Sequence, residues 1–273
     1  MHLYHEQFLD SNDFLSSVQT KKVLIIASTG RSGSHMFGHA LWKTNKFGFP
    51  LEYVNPANLT EWKKRLGSDD VLEVLNKLKR KRTSDNGVFA IKLHYPHLTE
   101  IGGIDKLKEI FPDAYYILLH RKDVLKQAVS LSIAKQTGVW ISGQKAINEK
   151  ASYNRKQIEA CLKETIINNS SWKYALSANG CKFIEMDFDN VRNNLAESIL
   201  EVANFMDVDI CHSEIPSEHV TKQQSNPINA EWAKTFTSEH DASNNLLSGF
   251  FKRLLIQNIK RILKVLRRRF RFF

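Results

Sequence analysis

Seven residues, Ser28-Thr29-Gly30-Arg31-Ser32-Gly33-Ser34, place two glycines, an arginine and several hydroxyls between an aliphatic run and a helical pattern. Gly30 and Gly33 permit backbone angles that aim several N–H groups at one point. The start of the following helix adds the positive end of its dipole. Arg31, Ser32 and Ser34 add guanidinium and hydroxyl donors. The result is an anion cradle of phosphate or sulfate size, although a plain strand-to-helix turn uses the same residue types. A nucleoside-triphosphate loop, G-x-x-x-x-G-K-[ST], needs a lysine before the closing hydroxyl, and here Gly33 precedes Ser34.

A second group follows the apolar run Tyr115 to Leu119. Arg121 comes at the expected strand end and Ser130 lies nine residues later, with Gln127 between them and Trp140 beyond. Nine residues are about two and a half helical turns. An arginine and a serine so placed reach a second, separate phosphate. The alternative pairs Arg121 with Asp123 and leaves Ser130 as a helix filler. His35, His39, His94, His97 and His120 have no compact ligand spacing, so no metal is expected. There is also no G-x-S-x-G elbow for a hydrolase triad.

The elements that must position these groups alternate. Strands are predicted over 21–28, 87–93, 114–120 and 181–186. Helices are predicted over 34–46, 71–81, 123–136, 149–179 and 191–206. Such alternation predicts an α/β fold: a P-loop-like parallel sheet with helices on both faces and ligands beyond the carboxyl ends of its strands.

The chain has 273 residues, 42% of them hydrophobic, enough for one large domain. The reading is an N-terminal arm (1–20), a domain (21–248) and a basic tail (249–273). Cys161, Cys181 and Cys211 have no zinc or redox spacing and read as ordinary thiols of a reducing compartment. The polar start has no signal-peptide pattern, and no aliphatic run spans a bilayer, so a cytoplasmic protein is expected.

The net charge is +10, yet nine Lys/Arg and no acidic residue lie between Phe250 and Phe273. The body is nearly neutral, so nucleic acid is not an expected partner. In the tail, Phe251, Leu254, Leu255, Ile259, Ile262, Leu263 and Leu266 recur at helical spacing among the basic residues. A basic amphipathic helix of this kind suits an anionic membrane surface, which would make the protein peripheral at the inner membrane face. Packing on the domain and a dimer contact are the alternatives.

Four stretches, ASTGRSGSHMF, GFPLEY, VFAIKLHY and HRKDVLKQAVSLSIAKQTGVW, together resemble the sulfotransferase superfamily. They are most similar to the bacterial trehalose 2-sulfotransferase family, which includes enzymes acting on lipopolysaccharide and other glycans. A weaker resemblance covers KQQSNPINAEW, Lys222 to Trp232. The resemblance implies 3′-phosphoadenosine-5′-phosphosulfate as co-substrate, a carbohydrate or glycolipid acceptor, and a homodimer. It implies that Gly30, Arg31, Ser32, Gly33 and Ser34 hold the 5′-phosphosulfate, with His35 where the family usually has threonine. Arg121 and Ser130 would hold the 3′-phosphate, and Lys222 and Gln223 would close over the co-substrate. Glu52 falls on the family's general base. His94 and His97 are rivals for that role, Lys92 is a candidate to point into the site, and Trp140 is a candidate to shape it. A nucleotide kinase or NTPase and a non-catalytic membrane-surface protein on this fold are the competing functions.

Overall fold

In a computed structural model, residues 5–14, 18–141, 144–217, 227–240 and 246 are described. Four parallel strands, β1 (Lys22–Ser28), β2 (Val88–His94), β3 (Tyr115–His120) and β4 (Lys182–Asp187), form one sheet in the order β2-β1-β3-β4. Alternate side chains of the central strands enter two separate cores, as a sheet buried on both faces requires. Ile25, Ile91 and Leu118 face α2 (Pro56–Leu66), α3 (Val71–Arg82), α4 (Leu98–Ile101), α5 (Ile104–Ile110) and α7 (Arg155–Ala178). Leu24, Ala90 and Leu119 face α1 (Ser34–Lys43), α8 (Phe188–Asn193) and α9 (Leu195–Met206). Helix α6 (Val124–Thr137) lies against α7 through Ala128, Leu131 and Cys161. The predicted fold class is the observed one.

With this strand order, β1 is followed by connections to either side, and its carboxyl end is a topological switch point. The loop 29–33, the end of β2 at His94 and the Arg121 turn after β3 all gather there.

Several predicted boundaries need correction. The helix expected over 149–179 starts at Arg155, because the Asn154 side chain accepts the Gln157 N–H (3.0 Å) and caps it there. The helix expected over 191–206 is two, α8 and α9, divided at Asn194 (φ −131°, ψ 60°). Residues 55–82 form α2 and α3, whose Trp62, Val74 and Leu78 are core; α2 was not among the predicted helices. Helix α10 (Pro227–Ser238) occupies part of the weaker resemblance. The chain divides into the units Met1–Ala233 and Lys234–Phe273; the basic tail lies outside the described residues. Among the described residues no helix is long and apolar enough to cross a membrane.

The N-terminal arm is built into the first unit. Arg82, 1% exposed, pairs with Asp13 (2.9 Å) and donates to the Gln7 carbonyl (2.9 Å). Gln7 Nε2 in turn donates to Asn58 Oδ1 (3.1 Å), and Asn58 Nδ2 donates to the Glu52 carbonyl (2.9 Å). A long buried cation, with its donors turned on the arm's carbonyls, thus ties residues 7–13 to the segment that carries Glu52.

Candidate active site

The loop after β1 is shaped by two left-handed residues, Arg31 (φ 64°) and Gly33 (φ 86°). A Cβ on Gly33 would lie 2.0 Å from the Phe188 ring, so only glycine fits there. Arg31 accepts a conformation that disfavours side chains, a strain that persists only where neighbours fix it. Its Nε donates to Ser130 Oγ (2.9 Å) and its Nη1 to the Trp140 carbonyl. Arg121 Nη1 donates to the Arg31 carbonyl (3.4 Å), and the Arg121 guanidinium lies 4.9 Å over the Phe188 ring. The loop, Arg121, Ser130 and Trp140, read from separate stretches, therefore meet at one place. The Arg31 side chain is turned to Ser130 on α6.

Burial, reinforced by the nearby Arg121, pulls the Arg31 guanidinium down to about 10. Burial likewise lowers Arg121, whose neighbours are Asp189, Arg192, Asp123 and Asp187. Arg121 is near enough to disfavour charge on Arg31, and an anion bound near both would offset that repulsion. Ser32 is fully buried and its Oγ has no hydrogen-bond partner. A buried orphan hydroxyl in a loop at a helix start, flanked by two arginines, fits a bound oxyanion.

The second cluster sits at the end of β2. Leu51 bridges Ile91, and the Lys92 N–H donates to the Leu51 carbonyl (2.9 Å), which brings Glu52 alongside the strand end. Gly38 of α1 lets the turn approach closely, since a Cβ there would lie 2.7 Å from the Pro50 carbonyl. Glu52 Oε1 is 2.9 Å from Lys92 Nζ and 3.6 Å from His94 Nε2. Asn55 Nδ2 donates to Glu52 Oε2 (3.1 Å). The His94 N–H donates to His97 Nδ1 (3.2 Å), and the two rings stack with centroids 5.0 Å apart.

Burial alone would raise the Glu52 carboxyl, but the surrounding His94, Lys92 and His97 reverse this and hold it well below the usual carboxylate range. Burial pulls His94 down to about 4 against the attraction of Glu52, and lowers His97 in the same way. At neutral pH the imidazoles are uncharged, and the Lys92 ammonium, 4% exposed, balances the carboxylate.

His35, in the first turn of α1, lies against His39, the ring centroids 4.3 Å apart and the planes tilted by 57°. Burial holds it well below its ordinary value, helped by Lys92 and His39, opposed by Glu52 and helped again by Arg31. It therefore senses both clusters. His39 is lowered to about 4, by burial first and then by Lys92 and Lys43.

The fold also brings donor atoms of Glu52, His94 and His97 within 4.8 Å of one another, a compactness that the sequence spacing did not reveal. A metal ion there would have to compete with the Lys92 ammonium, and His97 Nδ1 is already an acceptor. Lys222 and Gln223 lie outside the described residues.

The Stf0 sulphotransferase profile matches residues 76–239, which include the end of β2, Arg121 and Ser130. The chain belongs to this sulphotransferase family. No curated protein matches the chain. Among solved structures it is similar to the sulfotransferase domain of the olefin synthase of Synechococcus PCC 7002, with 14% identity over 84% of this chain and 91% of that one, TM-score 0.49. It is also similar to a sulfotransferase from Alicyclobacillus acidocaldarius, with 11% identity over 80% and 92%, TM-score 0.48. A third is mouse sulfotransferase SULT7A1 complexed with PAP, with 14% identity over 86% and 70%, TM-score 0.42. Likenesses so distant leave the site of this sulphotransferase to be argued from its own residues.

Some of those residues carried no sequence signal of a role. Gln127, wholly buried, donates to the loop from α6, and Trp172 Nε1 donates to the Ser28 carbonyl (3.1 Å) from α7. Phe188 packs under both Gly33 and Arg121. Asn55 could have been found: an Asn followed by Pro56 is a helix-start signal, and its side chain caps α2.

Proposed function

We propose that this sulphotransferase moves the sulfuryl group of 3′-phosphoadenosine-5′-phosphosulfate to a carbohydrate hydroxyl, on a glycan or glycolipid. The observation that carries the donor is the meeting of Arg31, Arg121 and Ser130 around a loop with a buried, unpartnered Ser32 hydroxyl. Two anion-binding groups on one loop-and-helix unit suit a ligand with two separated phosphates. Family membership and the glycan-sulfotransferase motifs support the acceptor class.

The transfer is an in-line displacement, analogous to phosphoryl transfer, in which positioning and positive charge do most of the work. The bond from sulfur to the 5′-phosphate oxygen breaks as the acceptor oxygen bonds to sulfur. Negative charge on the leaving phosphate meets the loop N–H groups and Arg31. The acceptor proton passes to the Glu52 carboxylate. The hydroxyl becomes acidic as its oxygen bonds to sulfur, which eases transfer of its proton to the carboxylate. Lys92 holds Glu52 ionised and Asn55 fixes its second oxygen.

His94 supports a second reading. A neutral imidazole 3.6 Å from a carboxylate is oriented by it and can itself accept the proton. The basic segment 249–273 supports attachment to an anionic lipid surface, and with it a lipid-borne acceptor.

Incubation of the protein with the donor and a panel of oligosaccharides and glycolipids, read by mass spectrometry, tests the proposal. The expected product carries one added sulfate, and its rate falls steeply in Glu52→Gln. If His94→Gln stopped the reaction while Glu52→Gln kept most of it, the imidazole would be the base. Transfer to phenols or hydroxysteroids but to no sugar would overturn the acceptor assignment.

A further inference from the structure

The phosphate loop is hung from α6 and α7 by side-chain hydrogen bonds. Gln127 stands in the second turn of α6 and has no exposed surface. Its Nε2 donates to Thr29 Oγ1 (2.9 Å) and to the Gly30 carbonyl (2.8 Å). Thr29 Oγ1 in turn donates to Asn169 Oδ1 of α7 (3.2 Å). The orientation of the Gln127 amide is forced, because a carbonyl only accepts and the group facing Gly30 O must therefore be the NH2. Both amide hydrogens are used, while Gln127 Oε1 is buried with no partner. A buried bare oxygen costs stability, so this glutamine is explained by its two donors.

Their effect on the loop follows from peptide geometry. In a trans peptide the C=O and the next N–H point in opposite directions. Drawing the Gly30 carbonyl onto α6 turns the Arg31 N–H away from α6. The same contact helps hold Arg31 in its left-handed conformation (φ 64°). Ser130, one turn further along the same helix, meets the Arg31 side chain at 2.9 Å. Helix α6 thus touches the loop twice, with Gln127 on its backbone and Ser130 on its guanidinium.

We propose that Gln127 is a positioning residue for the 5′ half of the donor site, setting the loop backbone for the 5′-phosphate, while Ser130 serves the 3′ half. Binding energy for the two phosphates is then separable by two positions on one helix. The inference rests on the donor proposed above.

Calorimetric titration with 3′-phosphoadenosine-5′-phosphate and, separately, with adenosine 3′-monophosphate tests it, because only the first ligand engages the 5′ loop. In Gln127→Met, of similar size but with no donors, the bisphosphate should bind about tenfold to a hundredfold more weakly, while the 3′-monophosphate binds as in the wild type. Ser130→Ala should weaken both ligands. Thr29→Val, which removes the hydroxyl between Gln127 and Asn169, should reproduce the Gln127→Met pattern at smaller size and guards against misfolding of the first variant. In Gln127→Glu the bisphosphate should recover affinity as the pH falls and the carboxyl regains a hydrogen to donate. Equal weakening of both ligands in Gln127→Met and Thr29→Val would make Gln127 a general packing residue and overturn the assignment, as would no weakening at all. A wild-type protein that binds neither ligand would sink the donor proposal itself.

Discussion

The two halves of the site solve opposite electrostatic problems. Around β1 and α6, Arg31 and Arg121 crowd together, lowered by burial and, at Arg31, by each other, beside a hydroxyl with nothing to bond. At the end of β2, Glu52 and Lys92 cancel at 2.9 Å and the imidazoles around them are held neutral. The first region carries unbalanced positive charge and an unpartnered hydroxyl, and suits an anion. The second is already satisfied and suits a group that must give and take a proton without a large change in charge. On the proposed function, donor binding falls mainly to the first region and proton transfer to the second, and substitutions should separate them in kinetics.

The largest effect is expected in the chemical half. Glu52→Gln should lower kcat by about 10²–10⁴ with little change in the affinity for the bisphosphate, the magnitude of a lost general base. A parallel loss of affinity would show that the halves are not separate. Arg121→Ala should do the reverse. It should weaken the bisphosphate about tenfold to a hundredfold, as loss of a charged hydrogen-bond donor does, and it should leave turnover at saturation much less affected. Affinity for the bisphosphate should also fall as salt rises, because the cluster is positively charged; a salt-independent affinity would contradict that.

The pH profile sharpens the contrast. His35, His39, His94 and His97 are held low, His39 and His94 to about 4, and Glu52 lies well below its usual range. kcat/KM should therefore show no inflection from these groups between about pH 5 and pH 8, a window in which unperturbed histidine titrates. An inflection near 6.5 that vanished in His94→Gln would assign a proton to that imidazole in the working state. Stability carries the same signature with a definite sign. The unfolded chain protonates its histidines below about pH 6.5, whereas in the folded protein His39 and His94 stay neutral down to about 4. Their neutral burial stabilises the fold above the unfolded value, and this is lost as pH falls through that window. Glu52, depressed as well, loses its contribution at still lower pH. The midpoint of thermal unfolding should drop between pH 7 and pH 5, and His39→Phe should flatten that drop; an unchanged slope would argue against it.

The two halves also differed in how readily they could be read. The loop Ser28 to Ser34 and the pair Arg121 and Ser130 are local in sequence, and strand-to-loop-to-helix order is enough to put them at the carboxyl ends of neighbouring strands. The base cluster is not local. Lys92, His94 and His97 share a strand end, but Glu52 reaches them only through the Leu51–Ile91 bridge, a tertiary pairing without a sequence pattern of its own, and its role came from resemblance. Gln127, named between Arg121 and Ser130, gave no sign of its role for a different reason. A buried glutamine on a helix resembles any polar residue until its partners are known. Helix boundaries failed where a single side chain decided them, at the Asn154 cap and at the Asn194 break. Trp62 and Leu59 mark the buried face of α2, but that helix is short and polar overall, so tertiary packing fixes it more than periodicity does.

Calorimetric titration of the wild-type protein and Arg121→Ala with 3′-phosphoadenosine-5′-phosphate, beside ATP with magnesium, decides whether the loop and Arg121 form a bisphosphate site. The wild type should bind the bisphosphate tightly, Arg121→Ala should bind it at least about tenfold more weakly, and ATP should not bind as well. Equal or tighter binding of ATP with magnesium, or bisphosphate binding indifferent to Arg121, would contradict such a site and return the loop to the nucleotide-triphosphate reading.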